Sequence, residues 1–222
     1  MSTRRPPPPP RPSTRRESKE ATRQALLKAA LRLLNKASFD HVSLREVTRE
    51  AGISPTAFYR HFDDMEELGL VLVEESFGTL RDMLRGARAD PSLAANVIRN
   101  SVAVIALHVR EHAPHLRFIA RERHGGVRRL RRAIKRELQL FADELAVDLA
   151  AFPALNKWPV EERQLVAGVL VEMMVHTVAE LLEASDEEAV QILATAERQM
   201  RLLIVGVAQW DPKRSRPDKR VR

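Results

Sequence analysis

The 222-residue chain has no cysteine, a single tyrosine, two tryptophans and only eight glycines. Without cysteine there are neither disulfides nor thiolate chemistry, and a reducing compartment is compatible. Scarce glycine and the lack of strict apolar–polar alternation argue against strands. Ala, Leu, Arg and Glu dominate, so an all-α chain is expected against the mixed base rate. No apolar run approaches a membrane span: the most apolar stretch, 165–175, is short and holds Glu172, with His176 just beyond. The first residues are arginines and prolines with no apolar region behind them, so no secretory leader is expected, and the chain reads as cytoplasmic with no membrane partner. Serine-hydrolase, phosphate-loop and dinucleotide fingerprints are missing too, which points away from an enzyme.

What is present is a core-forming share of apolar residues, 44%, and a net charge of +7 that is unevenly placed. Residues 1–20, 21–62 and 211–222 are each basic, whereas 63–210 holds more Asp and Glu than Lys and Arg. A basic amino-terminal third on a mildly acidic helical body fits a module facing duplex DNA joined to a domain with another task.

The most informative stretch is 43–62, SLREVTREAGISPTAFYRHF. Ser43 with Glu46 three residues on makes a capping box that starts a helix at Leu44. Leu44, Val47 and Ala51 keep one narrow apolar face, and Gly52 ends the helix because glycine takes a left-handed conformation without a steric penalty. Ile53 plugs the turn, Ser54 caps the next helix, and Pro55 occupies its first position, where a missing N–H costs nothing. Phe58 and Phe62 face inward. The outer side carries Thr56, Ala57, Tyr59, Arg60 and His61. Two short helices with such a tip form a helix-turn-helix that reads the major groove. Thr56 is placed to touch base edges or thymine methyls, and Tyr59 and His61 to bond phosphates, with Arg45 on a phosphate or a base. Ser54, Ala57 and Arg60 complete the candidate DNA surface, Arg60 being equally suited to a solvated charge or a salt bridge.

These residues, with a separate amphipathic helix before them, resemble the TetR family of one-component bacterial transcriptional regulators. The stretches 43–62, 63–76 and 118–138 resemble most the subgroup that represses unsaturated fatty acid synthesis or desaturation (FabR and DesT). The resemblance implies a three-helix DNA-binding head on a helical ligand-binding and dimerisation body. It also implies a repressor that binds an inverted-repeat operator as a homodimer, with a long-chain acyl group on coenzyme A or acyl carrier protein as effector and no resident cofactor. One departure stands out: Met65 occupies the place of the phosphate-touching lysine common near the start of the fourth helix.

The pattern divides the chain into a disordered basic proline-rich arm at 1–17, the DNA-binding domain at 18–64, the effector-binding and dimerisation domain at 65–209, and a basic tail at 210–222. Helices are expected at 18–37, 63–88, 93–111, 115–123, 127–151, 160–183 and 186–208, with Pro114 separating two of them. The helix at 160–183 is apolar on nearly every face, so a second subunit is its natural cover.

A small lipophilic ligand would find an apolar lining in Phe77, Leu84, Val102, Ile105, Phe118, Leu138, Phe141, Met173 and Met174, all of which are equally suited to plain core. The basic run at 128–136, with Arg121 and Arg123, could hold an anionic carrier. Two other readings stand beside this one. A TetR-like regulator of efflux or catabolism would sense an unrelated lipophile. A metal-dependent hydrolase would use His108, Glu111 and His112, which match an H-x-x-E-H spacing, with His115 following. Ordinary helix-end histidines explain that spacing better, so neither a metal site nor a catalytic residue is expected.

Overall fold

Helix α1 (Arg15–Leu34) opens the described part of the chain and buries Leu26, Leu27, Ala29, Ala30, Leu31 and Leu34. These residues cover more than one narrow stripe because α1 is packed on several sides, by α2 (Leu44–Ala51), α4 (Met65–Arg88) and α5 (Ala113–Glu122). A short α3 (Pro55–Phe58) follows α2, and α6 (Arg128–Leu149), α7 (Val160–Glu183) and α8 (Asp186–Gln209) complete the body. This computed structural model describes residues 15–88, 109–152 and 155–211, and every regular element among the described residues is helical. The expected all-α fold, a helix-turn-helix head on a helical body, is what is found.

Local chemistry explains several helix ends. Asp64 accepts the N–H of Glu67 at 2.7 Å and so caps α4, while the Glu67 carboxylate takes the N–H of Asp63. Ser185 and Glu188 form a second capping box at the start of α8. Pro114 differs from expectation. It lies in the first turn of α5 rather than between two helices, because no carbonyl precedes it there to demand its N–H. A 3₁₀ turn at Phe39–His41 was not foreseen; it carries Phe39 into the core.

Head and body share one core. Phe39, Val47, Phe58 and Phe62 of the head form a continuous cluster with Leu68, Leu72 and Phe77 of α4, Phe118 of α5, and Leu130 and Ile134 of α6. Gly69 marks the tightest junction: a Cβ there would lie 2.7 Å from the Phe39 ring and 3.0 Å from Leu130. Further along, α6 packs on α7, and α7 also contacts α5 and α8. The turn at Ser185 and the bond from Trp210 Nε1 to Glu162 at 3.1 Å make α7 and α8 antiparallel neighbours.

Helix α7 corrects one expectation. By length and composition it could cross a membrane, which the short run 165–175 concealed, and little of its apolar stretch is buried within this chain. Its contacts with α5, α6 and α8 are those of a helix in a bundle, apolar on more sides than one chain covers.

Candidate nucleic-acid interface

The turn between α2 and α3 is built by short-range bonds. Ser43 Oγ accepts the Glu46 N–H at 3.3 Å, and the Glu46 carboxylate takes the Ser43 N–H at 2.8 Å. Gly52 has φ +67° and sends its N–H back to Arg49 and Thr48, while the Ile53 N–H reaches the Thr48 carbonyl at 2.9 Å. That pair of bonds is a Schellman stop. Ser54 Oγ accepts the Ala57 N–H at 3.2 Å, and Pro55 stands in the first turn of α3. Beyond Phe58 the bonds from His61 and Phe62 to the Phe58 carbonyl keep the chain wound, so the tip extends past the single turn of α3.

Phe58 and Phe62 anchor this tip, fully buried with their centroids 5.5 Å apart. Tyr59 packs its ring edge-on to Phe58 at 5.6 Å yet is 61% exposed. Ser54, Thr56, Arg60 and, on α2, Arg45 are exposed; Ala57 is half-buried. His61 is half-buried, and its Nδ1 is enclosed without a partner among the described residues. Burial holds the His61 imidazole below its ordinary value, and the positive charges of Lys19, Arg23 and Arg60 push the same way, against Glu20. Arg23 also lies over the Phe62 ring at 5.5 Å. Lys19 and Arg23 therefore join the basic rim of the tip from α1. Sequence reasoning passed over them because only the folded packing brings the start of α1 beside His61.

The apolar candidates of the body do not gather in one place. Phe77 and Phe118 are buried in the main core, with Leu138 and Phe141 packed against it and the Phe77 and Phe141 centroids 5.6 Å apart. Met173 and Met174 belong to separate clusters, with Ala196 and Met200 of α8 and, for Met174, with Val109 and Leu116. Val102, Ile105 and the Leu84 side chain lie outside the described residues. Open space lies elsewhere among the described residues: a cleft of about 690 Å³ between α6 and α7, whose basic wall includes Arg128, Arg132 and Lys135 and whose apolar wall includes Leu138, and one of about 770 Å³ between α4 and α6 that Leu70, Arg81 and Arg136 line.

Several of the basic residues have other work. Arg121 donates to the carbonyls of Leu34 and Ala37 at 3.0 Å, satisfying the carboxyl end of α1. Arg123 pairs with Glu172 at 2.6 Å, and Arg131 donates to the Gly125 and Gly126 carbonyls. His115 bonds Ser76 at 3.0 Å, joining α5 to α4. His108 lies outside the described residues, and among those described no three His, Asp or Glu side chains converge as metal ligands would.

Residues 26–70, from the middle of α1 to the start of α4, match the family model described as bacterial regulatory proteins, tetR family. The whole fold is similar to solved structures at low identity. The fatty acid degradation regulator FadR from Bacillus halodurans is 15% identical with a TM-score of 0.59, over 83% of this chain and 95% of that one. The transcriptional regulator FadR from Bacillus subtilis, solved with stearoyl-CoA, is 16% identical with a TM-score of 0.62, over 82% and 98%. A tetR-family transcriptional regulator from Streptomyces coelicolor is 18% identical with a TM-score of 0.67, over 87% and 85%. Residues 26–70, which hold the helix-turn-helix, thus match the tetR-family model, and the chain as a whole shares the fold of these solved regulators.

Proposed function

We propose that the protein is a dimeric repressor that binds an inverted-repeat operator through two helix-turn-helix tips and is controlled by a long-chain acyl thioester. The observation that carries the DNA half is the exposed tip itself. Phe58 and Phe62 anchor the tip from inside, and Thr56, Tyr59 and Arg60, with Arg45 of α2, stand on the surface. Thr56 reads bases, Tyr59 and His61 take phosphates, Ser54 and Ala57 let the backbone come close, and Lys19 and Arg23 add positive charge beside them.

Exposed apolar surface supports pairing. Val160, Leu165 and Val169 of α7 lie at the same end of the antiparallel pair as Leu202, Ile204, Val205 and Trp210. A cluster of this kind on one end of two long helices suits a two-fold contact with a second copy. The domains follow from this reading: the head is 18–64, the effector and dimerisation body 65–209, and the segments 1–17 and 210–222 are basic extensions.

The acyl half draws support from the two FadR neighbours, one of them solved with stearoyl-CoA. Burying ~16 methylenes gives a gross term on the order of 12 kcal/mol. Tight binding alone shifts nothing; control requires different affinity for two arrangements of the body. Helix α4 runs from the head into the main core beside α5 and α6, so its tilt would carry that difference to the tips.

Fluorescence anisotropy with operator DNA at several salt concentrations tests both halves. Tyr59→Phe weakens binding to every sequence several-fold, whereas Thr56→Ala relaxes discrimination between sequences. Oleoyl and palmitoyl coenzyme A are then titrated in. Operator affinity identical with and without both removes the acyl control and leaves the DNA half standing.

A further inference from the structure

Arg128, Arg132 and Lys135 fall at i, i+4 and i+7 on α6, so one stripe of that helix is positive for two turns. All three are exposed and line the cleft between α6 and α7. Their cationic neighbours are engaged: Arg123 with Glu172, Arg129 with Glu66 at 3.1 Å, Arg131 with two carbonyls, and Arg136 with Glu137 at 3.8 Å. Arg128, Arg132 and Lys135 have no carboxylate partner among the described residues, and like charges at this spacing weaken a helix. The same stripe then turns apolar, through Leu138 and Ala142, facing Gly168 and Val171 of α7. A Cβ at Gly168 would meet nothing within 4 Å, so the apolar end of the cleft is open.

We propose that this cleft is the site for the charged end of a phosphorylated acyl ligand. Phosphate oxygens sit on Arg128, Arg132 and Lys135, and the first part of the hydrocarbon runs along Leu138, Ala142 and Val171. A bare fatty acid supplies one charge and leaves the cationic stripe largely unmatched; several phosphate oxygens match it. An acidic protein surface would match the charges but not the narrow apolar continuation. The cleft's size falls within the range of small-molecule sites, which supports a small amphiphile. This proposal rests on the acyl thioester reading and locates its polar end away from the buried Phe77–Phe141 cluster.

The test uses the full chain, titrated calorimetrically with oleoyl coenzyme A, free coenzyme A, oleate and oleoyl lysophosphatidic acid. The double variant Arg132→Gln/Lys135→Gln loses at least tenfold in affinity for oleoyl coenzyme A, and its binding depends less steeply on salt, while oleate binds as before. Gly168→Leu fills the apolar end and weakens both. Melting temperature and operator affinity without ligand report that each variant is folded. Unaltered oleoyl coenzyme A affinity in the double variant overturns the cleft, and the acyl reading survives if that ligand still changes operator binding. Charge-dependent binding with no effect on operator affinity upholds the cleft and overturns acyl control. Charge-dependent binding of lysophosphatidic acid but not of either coenzyme A species upholds a phosphate-lipid site and overturns the thioester as its source. Binding of none of the three phosphorylated ligands overturns the proposal.

Discussion

Glu122 of α5 accepts the backbone N–H of Phe39 at 2.9 Å, tying the body to the turn that follows α1. Glu122 is 1% exposed, its second oxygen is buried without a partner among the described residues, and the neighbouring Arg121 is occupied by the carbonyls of Leu34 and Ala37. Burial pushes the Glu122 carboxyl up from its ordinary value; Asp40 adds to this, while the Phe39 N–H and Arg121 oppose it.

The protonated form of Glu122 is therefore favoured by folding. Its contribution is full below the ordinary carboxyl value of 4.5 and is lost as pH rises through the elevated folded value. Glu122→Gln keeps an oxygen for Phe39 and carries no charge, so its melting temperature meets or exceeds that of the parent near neutral pH. Glu122→Ala orphans the buried N–H and costs about 1–3 kcal/mol. Thermal melts from pH 4 to 8 check both. A parent and a Gln variant that differ by the same amount at every pH would show that Glu122 titrates as it does unfolded.

His61 runs with the opposite sign. Its depressed value means that the neutral ring is favoured by folding, a contribution present above 6.5 and lost as pH falls through the folded value. A DNA phosphate at the same ring favours the charged form instead. As pH falls below 6.5 the free protein loses stability, while operator affinity at constant salt rises. His61→Gln flattens the affinity profile; it only reduces the stability slope, because burial holds His115 below its ordinary value too. Anisotropy and melts between pH 5.5 and 8 separate the two effects. An affinity profile unchanged by His61→Gln removes His61 from the phosphate contacts.

The turn and its anchors respond differently to substitution. Gly52→Ala meets no neighbour within 4 Å, so its cost is that of a left-handed backbone alone, roughly 1–2 kcal/mol. Phe58→Ala opens a cavity in the shared core and costs about 3–5 kcal/mol. Chemical denaturation gives both values, and a Gly52→Ala cost equal to that of Phe58→Ala would point to something beyond backbone strain.

The contrast between these sites explains what was legible in the sequence. Ser43 with Glu46, Gly52 with Thr48, and Ser54 with Ala57 are bonds between residues a few positions apart, so spacing alone announces them. Gly69 under the Phe39 ring, Arg121 on the end of α1 and Glu122 on Phe39 join segments distant in the chain, and no local pattern carries them. The same limit scattered the apolar candidates. Periodicity put Phe141 on an apolar face and left Met173 and Met174 on a helix apolar nearly all round, but which cluster each joins depends on how α4, α6, α7 and α8 cross. Lys19 and Arg23 were visible as charges, and their place beside His61 was not.

Leu202 gives the sharpest test of pairing. It is 73% exposed near the carboxyl end of α8, with Ile204 and Val205 beside it and Val160 and Leu165 on the antiparallel α7. In a lone chain Leu202→Glu replaces a solvated side chain, and surface changes of that kind stay within about 0.5 kcal/mol. If this end of the helices forms the contact between copies, the same carboxylate is buried in it, where an unpaired charge is strongly disfavoured. Leu202→Glu therefore sediments as a monomer with near-native helix content. It also loses operator affinity by a factor on the order of 10² or more, because the second head no longer binds as part of the same particle. Analytical ultracentrifugation beside anisotropy measures both. A parent that sediments as a monomer, or a variant that remains dimeric with unaltered operator binding, rules out this end of α7 and α8 as the contact between copies.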